Sequence, residues 1–241
     1  HINVEDAWNI TQGCGASFIK GGVFDTGIMW RHKDFGYNGT QTSGKIQGWH
    51  FGNGFGPSTV AGGVNIRIST LSIPDQILDA GDHGTRVAGI IGAQRNNTSG
   101  VAGIAGGDGS VGNSGVSLYS LNTQQTNMFH LLNAMRASCK ADASTPFSYG
   151  LNFSNHSYKM EGWWPADSFP LVREVVHYSN RMQVTFVASR GNDGINNYVI
   201  PANFDSCWAI SVGGSGTNGL RHPSSSRSEE HTSELQSPLN I

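Results

Sequence analysis

Two rhythms of apolar and polar positions alternate along the chain. Short apolar runs, many of them β-branched, sit between clusters of glycine, serine and asparagine, which is how buried strands separated by turns read. The runs fall at residues 18–28, 45–51, 64–68, 116–121, 151–158, 184–189 and 207–212. Between them lie segments whose apolar residues recur at helical spacing: 3–10, with Asn3 as a candidate cap, then 82–91, 128–139 and 171–178. Strands alternating with helices predict an α/β fold: a mostly parallel sheet covered by helices on both faces, in three layers. No internal repeat is visible. Residues 1–222 read as one domain. From Pro223 the composition changes to a serine-rich stretch without periodicity, so 223–241 is expected to be a disordered or artefactual tail.

Within this pattern one helix stands apart. In Asp82-His83-Gly84-Thr85-Arg86-Val87-Ala88-Gly89-Ile90-Ile91, small residues strip one face almost bare, so the helix can lie close to its neighbours. His83 is placed in its first turn, where backbone N–H groups lack partners and the local field is positive. A lone histidine there is most simply a satisfied core residue. The strand upstream changes that balance. It closes on Asp25-Thr26-Gly27, a carboxylate at a strand's carboxyl end followed by a turn glycine, which is where open α/β sheets place their sites. A carboxylate orienting an imidazole is two thirds of a nucleophile–base–orienter constellation.

Val23-Phe24-Asp25-Thr26-Gly27-Ile28 and His83-Gly84-Thr85-Arg86-Val87-Ala88-Gly89 resemble the Asp and His boxes of the subtilisin-like serine peptidases, in that family's order. The resemblance implies that Asp25 orients His83 and that His83 serves as the base. Arg190-Gly191-Asn192-Asp193-Gly194 resembles the oxyanion box, with Arg190 where a small residue is usual. Asn192 would then be the amide donor to the oxyanion, an interaction whose removal costs about 3 kcal/mol in subtilisin. Subtilases hold their polypeptide substrate as an added strand. Both Asn152-Phe153-Ser154 and Asn155-His156-Ser157-Tyr158 fit the Asn-x-Ser pattern of that segment. The second is preferred for the aromatic after its serine, so Asn155, Ser157 and Gly191 are the expected substrate-binding residues. Lys159 and Met160 follow where the family has glycine. Asp34, nine positions after Asp25, and the loop 96–101 resemble a calcium site, with Asp34 and Asn97 as the side-chain ligands of one Ca²⁺.

The family's nucleophile is not identifiable. It stands in a Gly-Thr-Ser-Met-Ala-x-Pro box downstream of the oxyanion asparagine, and neither Ser215 nor Ser233 has such a setting. A serine endopeptidase family member is therefore expected, with this chain inactive as it stands. A non-catalytic peptide-binding relative is the alternative. An aspartic peptidase using Asp25 is a weaker one, since no second Asp-Thr-Gly or Asp-Ser-Gly occurs to share its proton. Gly214-Ser215-Gly216-Thr217-Asn218-Gly219 matches a dinucleotide fingerprint, but Pro223 and a serine run follow where a helix is required.

Composition narrows the rest. The 241 residues suffice for a sizeable core, and a net charge of −2 with 13% charged residues offers no footprint for nucleic acid or an anionic membrane. No window has the apolar length of a membrane span and no leader is visible. Cys14, Cys139 and Cys207 lie far apart, without metal-type spacing, and no disulfide is expected. A monomer acting outside the cell is what the family resemblance implies.

Overall fold

The computed structural model describes residues 2–13, 19–40, 43–50, 64–65, 79, 82–110, 112–122, 128–139, 149–160, 169–196, 199–204 and 208–227. Among the described residues seven strands form one sheet: β1 (Lys20–Asp25), β2 (Ile46–His50), β3 (Val64–Asn65), β4 (Ser117–Asn122), β5 (Phe153–His156), β6 (Thr185–Ser189) and β7 (Ile210–Val212). Their order is β3-β2-β4-β1-β5-β6-β7, parallel throughout except for the antiparallel pair β2–β3 at one edge. Among the described residues the helices are α1 (Val4–Trp8), α2 (His83–Gly92), α3 (Met128–Ser138) and α4 (Pro170–Arg181), with a 3-10 turn at Lys33–Phe35.

The three layers follow from alternation along the strands. Val23 enters one core with Ile28, Ile46, Ala88 and Leu118, and this core is covered by α2. Its neighbour Phe24 enters the other, with Leu121, Met135, Val176 and Phe186, covered by α3 and α4. Both faces of β1 are buried, so it reads as a continuous apolar run. Full burial of side chains such as Phe24 and Phe186 contributes about 1.5–3 kcal/mol each. Consecutive parallel strands leave all their carboxyl ends along one edge of the sheet.

Two sequence expectations need correction. Asn3 does flank α1, but in a left-handed conformation (φ 43°) with no side-chain cap hydrogen bond. Of the strand expected at 64–68, Val64 and Asn65 pair with β2, and 66–68 lie outside the described residues. The tail boundary at 223 is also too early. Ser225 and Ser226 are buried, and the segment hydrogen-bonds to the loop after β6 through Gly194 N–H to Ser224 O (2.8 Å) and Ser226 N–H to Gly191 O (3.1 Å). Residues 228–241, Ser233 among them, lie outside the described residues, as do Cys14 and Cys207.

Candidate active site

The end of β1 and the start of α2 meet. His83 Nδ1 lies 2.7 Å from Asp25 Oδ1, and the Thr26 backbone N–H donates to the same oxygen at 2.7 Å. The two partners differ sharply in exposure: the Asp25 side chain is 3% accessible and that of His83 54%. A buried carboxylate thus grips one ring nitrogen while the other faces the surface. With Asp25 ionised it only accepts, so Nδ1 carries the proton and Nε2 presents its lone pair, the tautomer a base needs.

The close approach depends on Gly84. A Cβ at that position would lie 2.0 Å from the Gly27 carbonyl oxygen and 3.0 Å from Asp25 Cβ, so only glycine lets the helix seat this deeply. The helix begins at His83 itself, after Asp82 in a left-handed conformation (φ 54°) whose side chain makes no cap. Its free N–H groups find acceptors elsewhere: Gly84 N–H donates to Thr26 Oγ1 (2.9 Å) and Thr85 N–H to Asp79 Oδ2 (2.9 Å). Sequence reasoning missed Asp79 and Thr26. Their one local trace, an acid four positions before His83, does not by itself announce the network.

Beneath the pair lies a buried polar chain. His156 is fully enclosed, stacked between the Phe24 and Phe186 rings at centroid distances of 4.3 and 3.8 Å. Its Nδ1 meets Tyr158 Oη and its Nε2 meets Ser154 Oγ, each at 3.0 Å. Burial drives the imidazole well below its ordinary pKa, so it stays neutral. Burial, and then the negative charge of Asp25, push the Tyr158 phenol upward, which keeps it protonated. Asp25 Oδ2 is itself buried, with no hydrogen-bond donor among the described residues.

Asn155 does not sit on a free sheet edge, because β5 pairs with both β1 and β6. Its amide Nδ2 donates to Ser157 Oγ at 2.8 Å, so these two expected substrate-binding residues are joined. The segment leaving β5 runs from Ser157 to Met160, where Met160 N–H donates to Ile200 O at 2.9 Å. Asn192 lies on the loop that leaves β6 at the same carboxyl edge. It is exposed, and its amide bonds to no described residue. Gly191 precedes it with φ 82°. The Lys159 Nζ–Asp193 Oδ2 ion pair (2.7 Å) ties the segment after β5 to this loop. Arg190, in place of a small residue, is buried, with Nη1 at 3.4 Å from Ser211 Oγ and Nη2 without a partner among the described residues. Burial lowers its pKa.

The expected calcium residues also come together. Asp34 is buried on the 3-10 turn. Its carboxylate accepts from Asn97 Nδ2 (3.2 Å) and from Val101 N–H (2.9 Å), while Asn97 Oδ1 accepts from Ser99 N–H. Asn96, Thr98 and Gly100, all at positive φ, curl the loop around it. The carboxylate thus faces N–H donors, and the Asn97 amide oxygen is turned to the Ser99 N–H. Among the described residues no three His, Cys, Asp or Glu side chains cluster as a transition metal would want.

Other readings fall away. Asp25 meets an imidazole rather than a second carboxylate, and the sheet is parallel, which removes the aspartic-peptidase alternative. Residues 214–219 form a turn closed by Gly216 N–H to Leu220 O (2.7 Å), and no helix follows them in the described chain. No described serine hydroxyl bonds His83; Ser215 is exposed and bridged to Arg221.

The model of the subtilase family matches residues 19–239. No curated protein matches the chain. Among solved structures, proteases from Pseudoalteromonas arctica PAMC 21717 share its fold with a TM-score of 0.65 at 21% identity, over 94% of this chain and 64% of theirs. A lanthipeptide protease gives 0.61 at 16% identity, over 92% and 56%. The epidermin leader peptide processing serine protease of Staphylococcus aureus gives 0.61 at 16%, over 92% and 52%. The chain thus spans between half and two thirds of the length of these proteases.

Proposed function

The chain belongs to the subtilase family, and from that premise we propose that Asp25, His83 and Asn192 are the orienter, base and oxyanion donor of a serine endopeptidase site. The observation that carries this reading is the 2.7 Å approach of His83 Nδ1 to a buried Asp25 carboxylate, with Nε2 left outward. In such a site the base takes the proton of a serine hydroxyl as that oxygen attacks the peptide carbonyl. The carboxylate stabilises the imidazolium, and the amide donor stabilises the oxyanion. The polypeptide would lie as an extended strand against Ser157–Met160, with Gly191 and Asn192 bounding the reacting end.

None of the 241 residues stands in the family's Gly-Thr-Ser-Met-Ala setting, so the chain by itself is proposed not to turn over peptides. The test is fluorogenic casein, incubated with the chain alone and with the chain fused to a subtilase segment bearing that serine box. The expected result is no release from the chain alone, and release from the fusion that His83→Ala lowers by roughly three orders of magnitude or more. Casein cleavage by the chain alone that survives His83→Ala would overturn the proposal. Binding without cleavage by the fusion would favour a peptide-binding relative.

Calcium accompanies this reading. Asp34, the Asn97 amide oxygen after a half-turn of that amide, and carbonyls of the 96–101 loop would hold one Ca²⁺, which would brace the loop after α2. Secretion and action as a monomer are likewise proposed from the family. Among the described residues no helix is long and apolar enough to cross a membrane.

A further inference from the structure

Seven residues form a closed circuit that includes the Asp25–His83 contact. Asp25 Oδ1 receives His83 Nδ1 and Thr26 N–H. Thr26 Oγ1 receives Gly84 N–H and gives its proton to Asp79 Oδ1 at 2.5 Å. Asp79 Oδ2 receives both the N–H and the hydroxyl of Thr85. Thr85 Oγ1 in turn accepts Met29 N–H at 2.9 Å, returning the circuit to the chain that leaves β1. Asp79 is 3% exposed, and its backbone forms an antiparallel bridge with Gly27.

The direction of the protons in this circuit follows from the geometry, in which both Asp79 oxygens are acceptors. A carboxylate only accepts, so both threonine hydroxyls must donate to it, and their lone pairs are thereby turned toward the backbone N–H groups of Gly84 and Met29. The Gly84 and Thr85 N–H groups left open at the head of α2 are satisfied by Thr26 Oγ1 and Asp79 Oδ2, in place of the cap that Asp82 does not make. The negative charge also lies at the positive end of the helix. We infer that Asp79 is a positioning residue for His83: through Thr26 and Thr85 it locks the first turn of α2 to the exit of β1, and so sets the Nδ1–Oδ1 distance.

This inference rests on the reading of Asp25 and His83 as orienter and base, but it can be tested without turnover. The readout is the His83 Nδ1 proton, followed by imidazole ¹⁵N–¹H spectra and its exchange with water. An amide at position 79 must present a donor to one of the two hydroxyls. One backbone N–H then loses its acceptor. Asp79→Asn and Thr26→Val are each expected to speed exchange of this proton roughly tenfold, with far-UV circular dichroism unchanged. Thr26→Ser, which keeps the hydroxyl, is expected to restore the parent rate to within about a factor of two. Parent-like exchange in a folded Asp79→Asn variant would overturn the inference. Should Asp79→Asn not fold, the Thr26 pair decides: equal exchange in the Val and Ser variants would overturn it. A silent casein assay leaves this coupling intact, and an unchanged exchange rate leaves the peptidase proposal intact, so the two failures are distinguishable.

Discussion

Gly84 and Gly89 lie on the same helix, and the same substitution is expected to move stability in opposite directions at the two sites. An alanine Cβ at 84 would sit 2.0 Å from the Gly27 carbonyl oxygen, a backbone atom that cannot swing aside. To reach an ordinary contact, the start of α2 must lift from β1 by about 1 Å, and such overpacking costs about 1–3 kcal/mol. The gain in helix propensity from glycine to alanine is at most about 1 kcal/mol and does not cover it. The net loss is about 1–2 kcal/mol, or a Tm lower by about 2–8 °C for a chain of this size. At 89 the new Cβ would meet only Val101 Cγ2, at 3.6 Å, which is normal packing. Gly89→Ala is therefore expected to raise stability by about 0.5–1 kcal/mol and Tm by about 1–4 °C. Thermal and urea unfolding of the three proteins, followed by circular dichroism, gives both signs. Equal or higher stability for Gly84→Ala, or a shift of both variants in one direction, would refute the claim that backbone contact rather than propensity governs this helix.

Two further outcomes are expected. Buried, neutral His156 takes up a proton more readily in the unfolded chain, so stability should fall as pH drops below about 6.5, where unfolded histidine is protonated first. His156→Phe should flatten that acid limb by about one proton, about 1.4 kcal/mol per pH unit at the limit, whatever its effect on the baseline; an unchanged slope would refute the buried neutral state. Calcium at a hundredfold excess over its Kd should stabilise the chain by about 2.7 kcal/mol, and Asp34→Asn should abolish that response. A Tm indifferent to both calcium and chelator would refute the proposed site.

What could be read from the sequence, and what could not, divides along physical lines. The strand ending at Asp25 is legible because both its faces are buried, that ending at Ser189 because Phe186 and Ala188 alternate into the core, and helix α2 because its small residues mark close packing. The Asp25–His83 pairing followed from placing a strand end beside a helix start. Asp79 was not legible: its role depends on two hydroxyls and two backbone donors distant in sequence, and no local pattern announces such a network. His156 read as one letter of a substrate segment, whereas alternation along β5 turns it into the opposite core between two phenylalanine rings. Ser225 and Ser226 looked like tail because serine carries no hydrophobic signal, yet their hydroxyls accept the Gly214 and Asp193 N–H groups. The Asn3 cap failed for a similar reason, since the preference for asparagine there does not fix its backbone conformation.

The proposed base depends on Asp25 holding the ring of His83. Imidazole ¹⁵N chemical shifts at neutral pH, in the parent and in Asp25→Ala, test this most directly. The expected result is an Nδ1-protonated ring in the parent that gives way to a tautomer mixture once the carboxylate is gone; the same mixture in both proteins would contradict it.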